Sequence, residues 1–463
     1  MLSRSKLHFL VFIFSFLILT RFNIDPDLGW HLAYGREFLA NGEIIRVDRF
    51  SWTMAGYDWA NSYFLYQIFL AFLFEHFQLA SIAIIFGLIA ASTLWLLLPK
   101  KVNLAGALLA IFGVGLTLTN LAIRPHVFDF LLFSMLLFFL SRGWHLKTRF
   151  LPLWFVFFAF WANLHLGFVV GLLVLGLFLF FNFLEKLSTG GRLVRKSIFG
   201  AMVMMAAFLG TFLTPFHFKM WQSIFFESGG SVAWFSIAEF LPVAIFVPVN
   251  ILYAVSGLIF AFVFFRQYKS LKLVWFWVAA LLFMLPFLTS FFVLFWAAIF
   301  IFISTRYIRF ELDLKASFWS KLPLWTSVVA AAMAIFFNFL INIWESATLE
   351  QRLAKDLYPA RATLFLKEND ISDNLFNLYH WGGYLEWQVP QIPVFIDGRM
   401  AGWKKADGKY ILADYLAILK GDCEVARRWQ IKTVLVEAER NNPCFGDFRE
   451  VYRDSVAKIL LKD

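Results

Sequence analysis

Charge and cysteine are what this 463-residue chain has least of. Charged residues make up only 16% of it, against about 25% in ordinary soluble domains. Hydrophobic residues reach 61% and aromatic ones 20%. That balance excludes a soluble globular domain and leaves a polytopic membrane protein. The only cysteines, Cys423 and Cys444, both fall in the polar C-terminal part. A pair confined to one region points to a disulfide, given an oxidising compartment. There is no internal repeat, phosphate-binding Walker motif, dinucleotide glycine fingerprint, His-rich metal pattern or nucleophile elbow. The net charge of +10 does not indicate nucleic acid. The basic residues lie in short clusters between apolar runs, which is how Lys and Arg mark cytoplasmic loops.

Those runs place spans at about 9–20, 79–98, 104–121, 126–141, 151–165, 167–184, 197–214, 247–265, 272–287, 290–305 and 322–340. The positive clusters are Lys100-Lys101; Arg142, Lys147 and Arg149; Lys186, Arg192, Arg195 and Lys196; Arg266, Lys269 and Lys272; and Arg306, Arg309, Lys315 and Lys321. With all of them cytoplasmic, the spans alternate without conflict from residue 79 onward. Arg4 and Lys6 put the N-terminus inside as well. No small-residue cleavage site precedes Arg21-Phe22-Asn23, so the first run reads as an uncleaved span. Both conditions hold only if Ser62–Phe77, about 16 residues and short for a crossing, lies in the outer interface or is re-entrant. The expectation is 11 spans, residues 1–344 forming the transmembrane domain with a first outer loop at 22–78, and 345–463 outside.

That loop holds Asp25-Pro26-Asp27 and Trp30-His31, with Arg36, Glu43, Arg46, Asp48, Arg49 and Asp58 nearby. Ionisable groups packed beside a bilayer mark a candidate site, although Asp27 could equally cap the helix expected over 28–39. Other polar residues fall on the same outer side: Arg124 and His126, Asn163 and His165, Pro215, His217, Lys219 and Glu239, and Thr289-Ser290. Each has a structural role open to it. Arg124 can anchor to lipid phosphate, His165 can bond a neighbouring carbonyl, and Pro215 can end a helix. Glu239, in an apolar setting, needs a partner or a proton.

After Trp344 the pattern changes to one small α/β domain. Helices are expected at 350–367 and 409–419, and strands at 374–387, 394–397 and 432–436. Trp381-Gly382-Gly383-Tyr384 reads as a strand bend, and Phe395-Ile396-Asp397-Gly398-Arg399 as a strand end with its turn.

Together these stretches resemble bacterial multi-spanning proteins of the GT-C glycosyltransferase superfamily. The resemblance rests on Asp25-Pro26-Asp27 with Trp30-His31-Leu32, Gly42 to Ser51, Arg124-Pro125, Trp161 to His165, Thr214-Pro215, Glu239 and the two C-terminal motifs. It implies an all-α transmembrane fold with horizontal helices in the first outer loop, here Ser62–Phe77. It also implies an enzyme of the bacterial cytoplasmic membrane, transferring a sugar from a polyprenyl-phosphate donor to a lipid or glycan acceptor on the extracytoplasmic side.

In such enzymes a first-loop carboxylate acts as base or holds a metal, so Asp25 and Asp27 are the candidates, with a divalent cation (Mg or Mn) left open. His31, Arg124, His126, His165 and Lys219 are candidates for donor phosphate, and Trp30, Asn163, His217 and Glu239 for the surrounding site. Asp25, Asp27, His31, Arg124, His165 and Glu239 are expected to line one cavity. The chain departs from the family where a basic residue near the late outer turn would grip phosphate, having Thr289-Ser290-Phe291 instead. Two other classes compete. A lipid or anion transporter would leave the C-terminal domain without a role, and its paired Gly/Pro-interrupted spans are missing. A non-catalytic envelope assembly protein would make Asp25, His31 and Arg124 dispensable.

Overall fold

The helix Val293–Tyr307 is buried along its whole length from Val293 to Thr305. A helix apolar on every face belongs inside a bundle, and four others pack on it: Leu104–Gly115, His126–Ser141, Pro248–Gln267 and Leu273–Met284. Aromatic edges fill the seams, Phe133 on Phe295 and Phe260 on Trp296. The Trp296 indole donates to Ser256 Oγ at 2.7 Å, so the one polar atom of that ring is satisfied where water is excluded.

This is a computed structural model, and it describes residues 4–22, 24–118, 120–188, 193–226, 241–243, 248–267, 273–307 and 358–462, with scattered positions between 333 and 353. Glu239, most of the expected last span and the basic residues Arg192, Lys269, Lys272, Arg309, Lys315 and Lys321 lie outside the described residues. The fold is mostly helical. Among the described residues four helices are long and apolar enough to cross a membrane: Leu79–Leu97, Phe168–Glu185, Asn250–Gln267 and Ser290–Tyr307. By length and composition this is a membrane protein. Shorter apolar helices accompany them, among them Lys6–Leu19, His126–Ser141 and Ser197–Gly210. The run expected to span 104–121 is helical only over Leu104–Gly115, because Thr117 and Asn120 close tight turns onto Val114 and Thr117.

The chain divides into two compact units. The first is Met1–Phe22, Ala80–Thr214 and Ala238–Glu345; the second is Asn23–Leu79, Pro215–Ile237 and Ser346–Asp463. The stretch 23–79 therefore folds with the C-terminal region. The second unit contains a four-stranded sheet, β1 (Leu375–Asn377), β2 (Thr433–Glu437), β3 (Arg449–Arg453) and β4 (Ala457–Leu461), in the order β1-β2-β4-β3. β1 runs parallel to β2, and β4 is antiparallel to both β2 and β3. Cys423 and Cys444 are joined by a disulfide.

Two sequence expectations are corrected here. Only Leu375–Asn377 of the stretch 374–387 is a strand; Tyr379–Gln388 is a helix. Its glycines serve a helix crossing and not a strand bend. It packs on the helix Leu28–Asn41, and a Cβ on Gly29 would run into the Gly383 carbonyl, so only glycine permits the approach. Nor is Val394–Asp397 a strand: Val394 makes one isolated bridge to Ser51. The helix Ile411–Leu419 and strand β2 fall where the sequence places them.

Candidate functional site

The acidic loop of the second unit is built on local bonds. Asp25 is 8% exposed, and its Oδ1 accepts the Asp27 backbone N–H at 2.9 Å. Asp27 occupies the N-cap position of the helix Leu28–Asn41 without a side-chain cap bond. Its Oδ1 instead accepts the Trp30 indole N–H at 3.0 Å, and a Cβ on Gly398 would collide with it. Trp30 is buried edge-on among Tyr34, Trp59 and Tyr63. His31 is buried too, between Tyr63 and Tyr66, with its Nδ1 at 3.5 Å from Gln67 Nε2. These two rings hold the loop together.

The other ionisable groups of the loop are also engaged. Arg49 pairs with Glu37 and Glu43, and Arg46 donates to the Pro215 carbonyl at 2.8 Å. Lys219 pairs with Asp58, and His217 is exposed with φ +46°. Arg36 lies over the Trp387 ring. Among the described residues no three His, Cys, Asp or Glu side chains gather as a metal ion would require.

The densest electrostatic feature of this unit went unread in the sequence. Arg399, in the second C-terminal motif, is buried with three carboxylates. It donates to Asp48 Oδ1 and Glu386 Oε1 at 2.8 Å each, to Asp397 through two nitrogens at 2.7 and 2.8 Å, and to the Tyr34 hydroxyl. Both carboxylate partners at a distance in sequence are fully enclosed with it. The rings of Tyr34, Phe50, Trp59 and Trp403 surround the guanidinium at 5.1–5.8 Å, adding cation–π attraction in a dry setting. Asp48 is fixed in turn by Ser51, whose hydroxyl donates at 2.6 Å and backbone N–H at 3.0 Å.

One guanidinium cannot neutralise three buried carboxylates, so one must keep its proton. It is Glu386: burial, joined by the neighbouring Asp397 charge, pushes it well above the ordinary glutamate range. Burial acts on Asp397 in the same direction, but the Arg399 charge and hydrogen bonds outweigh it and hold that carboxyl below its ordinary value. This network ties the stretch 23–79 to the C-terminal motif. It is a structural centre, every one of its carboxyls engaged with the same guanidinium.

The first unit presents a different grouping. Asp129, 0% exposed, sits one turn into the apolar helix His126–Ser141. Its Oδ1 accepts the Trp161 indole N–H at 2.8 Å, and its Oδ2 takes Nδ1 of His165. The His126 ring lies 4.8 Å from that of His165, and Phe291 packs against both. Arg124, two residues before His126, closes the turn that starts this helix, its carbonyl accepting the Val127 N–H at 3.3 Å. Asn163 ties the ends of two helices together, donating to the carbonyls of Ala159 and Leu213 at 2.8 Å.

The structure thus brings Arg124, His126 and His165 together in the first unit and adds Asp129. Asp25, Asp27, Trp30, His31, His217 and Lys219 belong to the second unit. Asp129 was missed because it reads as one acid in an apolar run. The available signal was its spacing of three from His126, which puts both on one helix face. A scan against protein-family models finds no match for this chain, and a search of curated proteins finds none.

Proposed function

We propose that this chain is a membrane glycosyltransferase of the GT-C type, with 11 spans and a cytoplasmic N-terminus, that uses a polyprenyl-phosphate sugar as donor. The observation that carries the reading is the grouping of Arg124, His126 and His165, backed by the enclosed carboxylate of Asp129. A donor phosphate at the start of the His126–Ser141 helix would meet that helix's positive end, a fork-shaped guanidinium and two imidazoles. Such preorganised groups act where charge develops on the leaving phosphate. Asp129 fixes the orientation of the His165 ring, as a second carboxylate commonly does for a working histidine.

In the reaction, the acceptor hydroxyl oxygen forms a bond to the anomeric carbon and its proton passes to a carboxylate. The bond from that carbon to the phosphate oxygen breaks, and its electron pair leaves on the phosphate. The sequence resemblance gives the part of proton acceptor to a carboxylate of the 22–78 loop; of its two candidates Asp27 is less buried than Asp25, and its hydrogen bond to Trp30 would orient it. The Arg399 cluster has no part in the chemistry.

A second reading, a non-catalytic assembly protein, is favoured by one observation: Asp25, Trp30 and His31 are buried and bonded within their own loop. Radiolabelled sugar transfer from total membrane lipids separates the two. Arg124→Lys should lower transfer about tenfold or more although the charge is kept, because Lys cannot make the two-pronged contact; His165→Ala and Asp27→Ala should lower it further. Transfer that is absent in the wild type, or unchanged in all three variants, supports the assembly reading.

A further inference from the structure

The sheet of the second unit has a face that the proposed chemistry does not use. Val436 on β2 pairs with Lys458 on β4, and Glu450 on β3 pairs with Leu460. Because side chains alternate along a strand, these four share one face. The segment 438–448 rises over it and encloses a cleft of about 380 Å³, within the range of small-molecule sites. That segment is held in place by the Cys423–Cys444 disulfide and by Asn442, whose amide donates to the Ile418 carbonyl at 2.8 Å.

Lys458 lines this cleft and is only 5% exposed. Its ammonium makes one hydrogen bond, to Asn441 Oδ1 at 3.2 Å, and no described carboxylate forms an ion pair with it. Of the other cations nearby, Arg440 pairs with Glu437 and Arg453 with Glu450 and Glu439, while the Lys462 ammonium lies over the Phe448 ring, 5.9 Å from its centre. The carboxylate whose charge reaches Lys458 is Glu450, which lines the same cleft and is already paired with Arg453, so a buried ammonium with two unspent protons still gains from an arriving anion. Beside it, Phe448 is half-buried, standing edge-on to the enclosed Phe445. Its ring and the exposed Asn441 amide give the cleft an apolar platform next to a polar contact.

We propose that this cleft binds a saccharide carrying a single carboxylate, the anion seated on Lys458 and the sugar ring against Phe448 and the Asn441 amide. The inference stands apart from the transferase reading, since it uses neither unit's candidate catalytic groups. The test is calorimetric titration of the detergent-purified full chain with glucuronate, its methyl ester, glucose, acetate and inorganic phosphate. Glucuronate should bind, and the methyl ester, glucose and acetate should bind at least about tenfold more weakly, the size expected for one charge-assisted contact. Lys458→Met should remove binding.

Asn441→Asp is the second variant. It sets a carboxylate against the ammonium at an exposed position, so glucuronate affinity should fall about tenfold or more while thermal unfolding is unchanged. Phosphate or acetate binding as tightly as glucuronate overturns the proposal. So does undiminished glucuronate binding by Asn441→Asp.

Discussion

Replacing Glu386 and Asp397 by their amides should have opposite consequences, although both carboxyls touch the same guanidinium. Asp397 is ionised and gives Arg399 two side-chain hydrogen bonds, at 2.7 and 2.8 Å. Asp397→Asn breaks the two-pronged charged contact in a fully enclosed site and sets an amide N–H2 against an Arg399 N–H, a change that costs about 3–5 kcal/mol. Glu386 is pushed toward its protonated form by burial and the neighbouring Asp397 charge. Glu386→Gln keeps the size and one acceptor oxygen for Arg399, so stability near neutral pH should change by less than about 1 kcal/mol.

The pH dependence supplies the sign. The folded state raises Glu386 above its ordinary 4.5, so its contribution is fully present below that value and is lost as pH rises toward the folded one. Across that window stability falls by up to about 1.4 kcal/mol per pH unit from this group. Asp397 is depressed below 3.8, so its contribution is present above 3.8 and is lost as pH falls through the folded value. Thermal unfolding of the detergent-purified chain, followed by tryptophan fluorescence between pH 4 and 8, reads both; Trp59 and Trp403 flank the guanidinium. Glu386→Gln should flatten the decline above pH 4.5, and Asp397→Asn should lower the midpoint at every pH. Equal destabilisation by the two amides near neutral pH would refute this division of the proton.

Gly29→Ala should destabilise the second unit by about 1–3 kcal/mol or more, because the new methyl meets backbone that cannot move aside; increased protease cleavage between residues 42 and 60 would report it. Reducing the Cys423–Cys444 disulfide, which spans 21 residues, should cost about 3 kcal/mol by chain entropy, seen as a lower unfolding midpoint in dithiothreitol that Cys444→Ser reproduces. The expected topology has its own check: externally added maleimide should label a cysteine at position 50 or 400 and spare one at 145 or 190.

What could be read from the sequence was what is local. Apolar runs announced the helices, helical spacing announced Leu28–Asn41 and Ile411–Leu419, and two isolated cysteines announced their bond. What could not be read depends on partners far along the chain. Arg399 meets Tyr34 and Asp48 across 365 and 351 residues, and nothing in Phe-Ile-Asp-Gly-Arg itself says that its arginine is enclosed. Trp381-Gly382-Gly383-Tyr384 looked like a strand bend for the same reason: glycine pairs serve bulges and helix crossings equally, and only Gly29 decides between them. The acidic loop shows the converse. Its density of charge suggested a binding site, yet most of those charges answer one another, Arg49 with Glu37 and Glu43, Asp58 with Lys219, Asp48 with Arg399. Charge density in a sequence therefore locates where a membrane protein builds polar structure. A ligand is called for only where the count fails to close, as at the buried ammonium of Lys458, on a strand the motifs never touched.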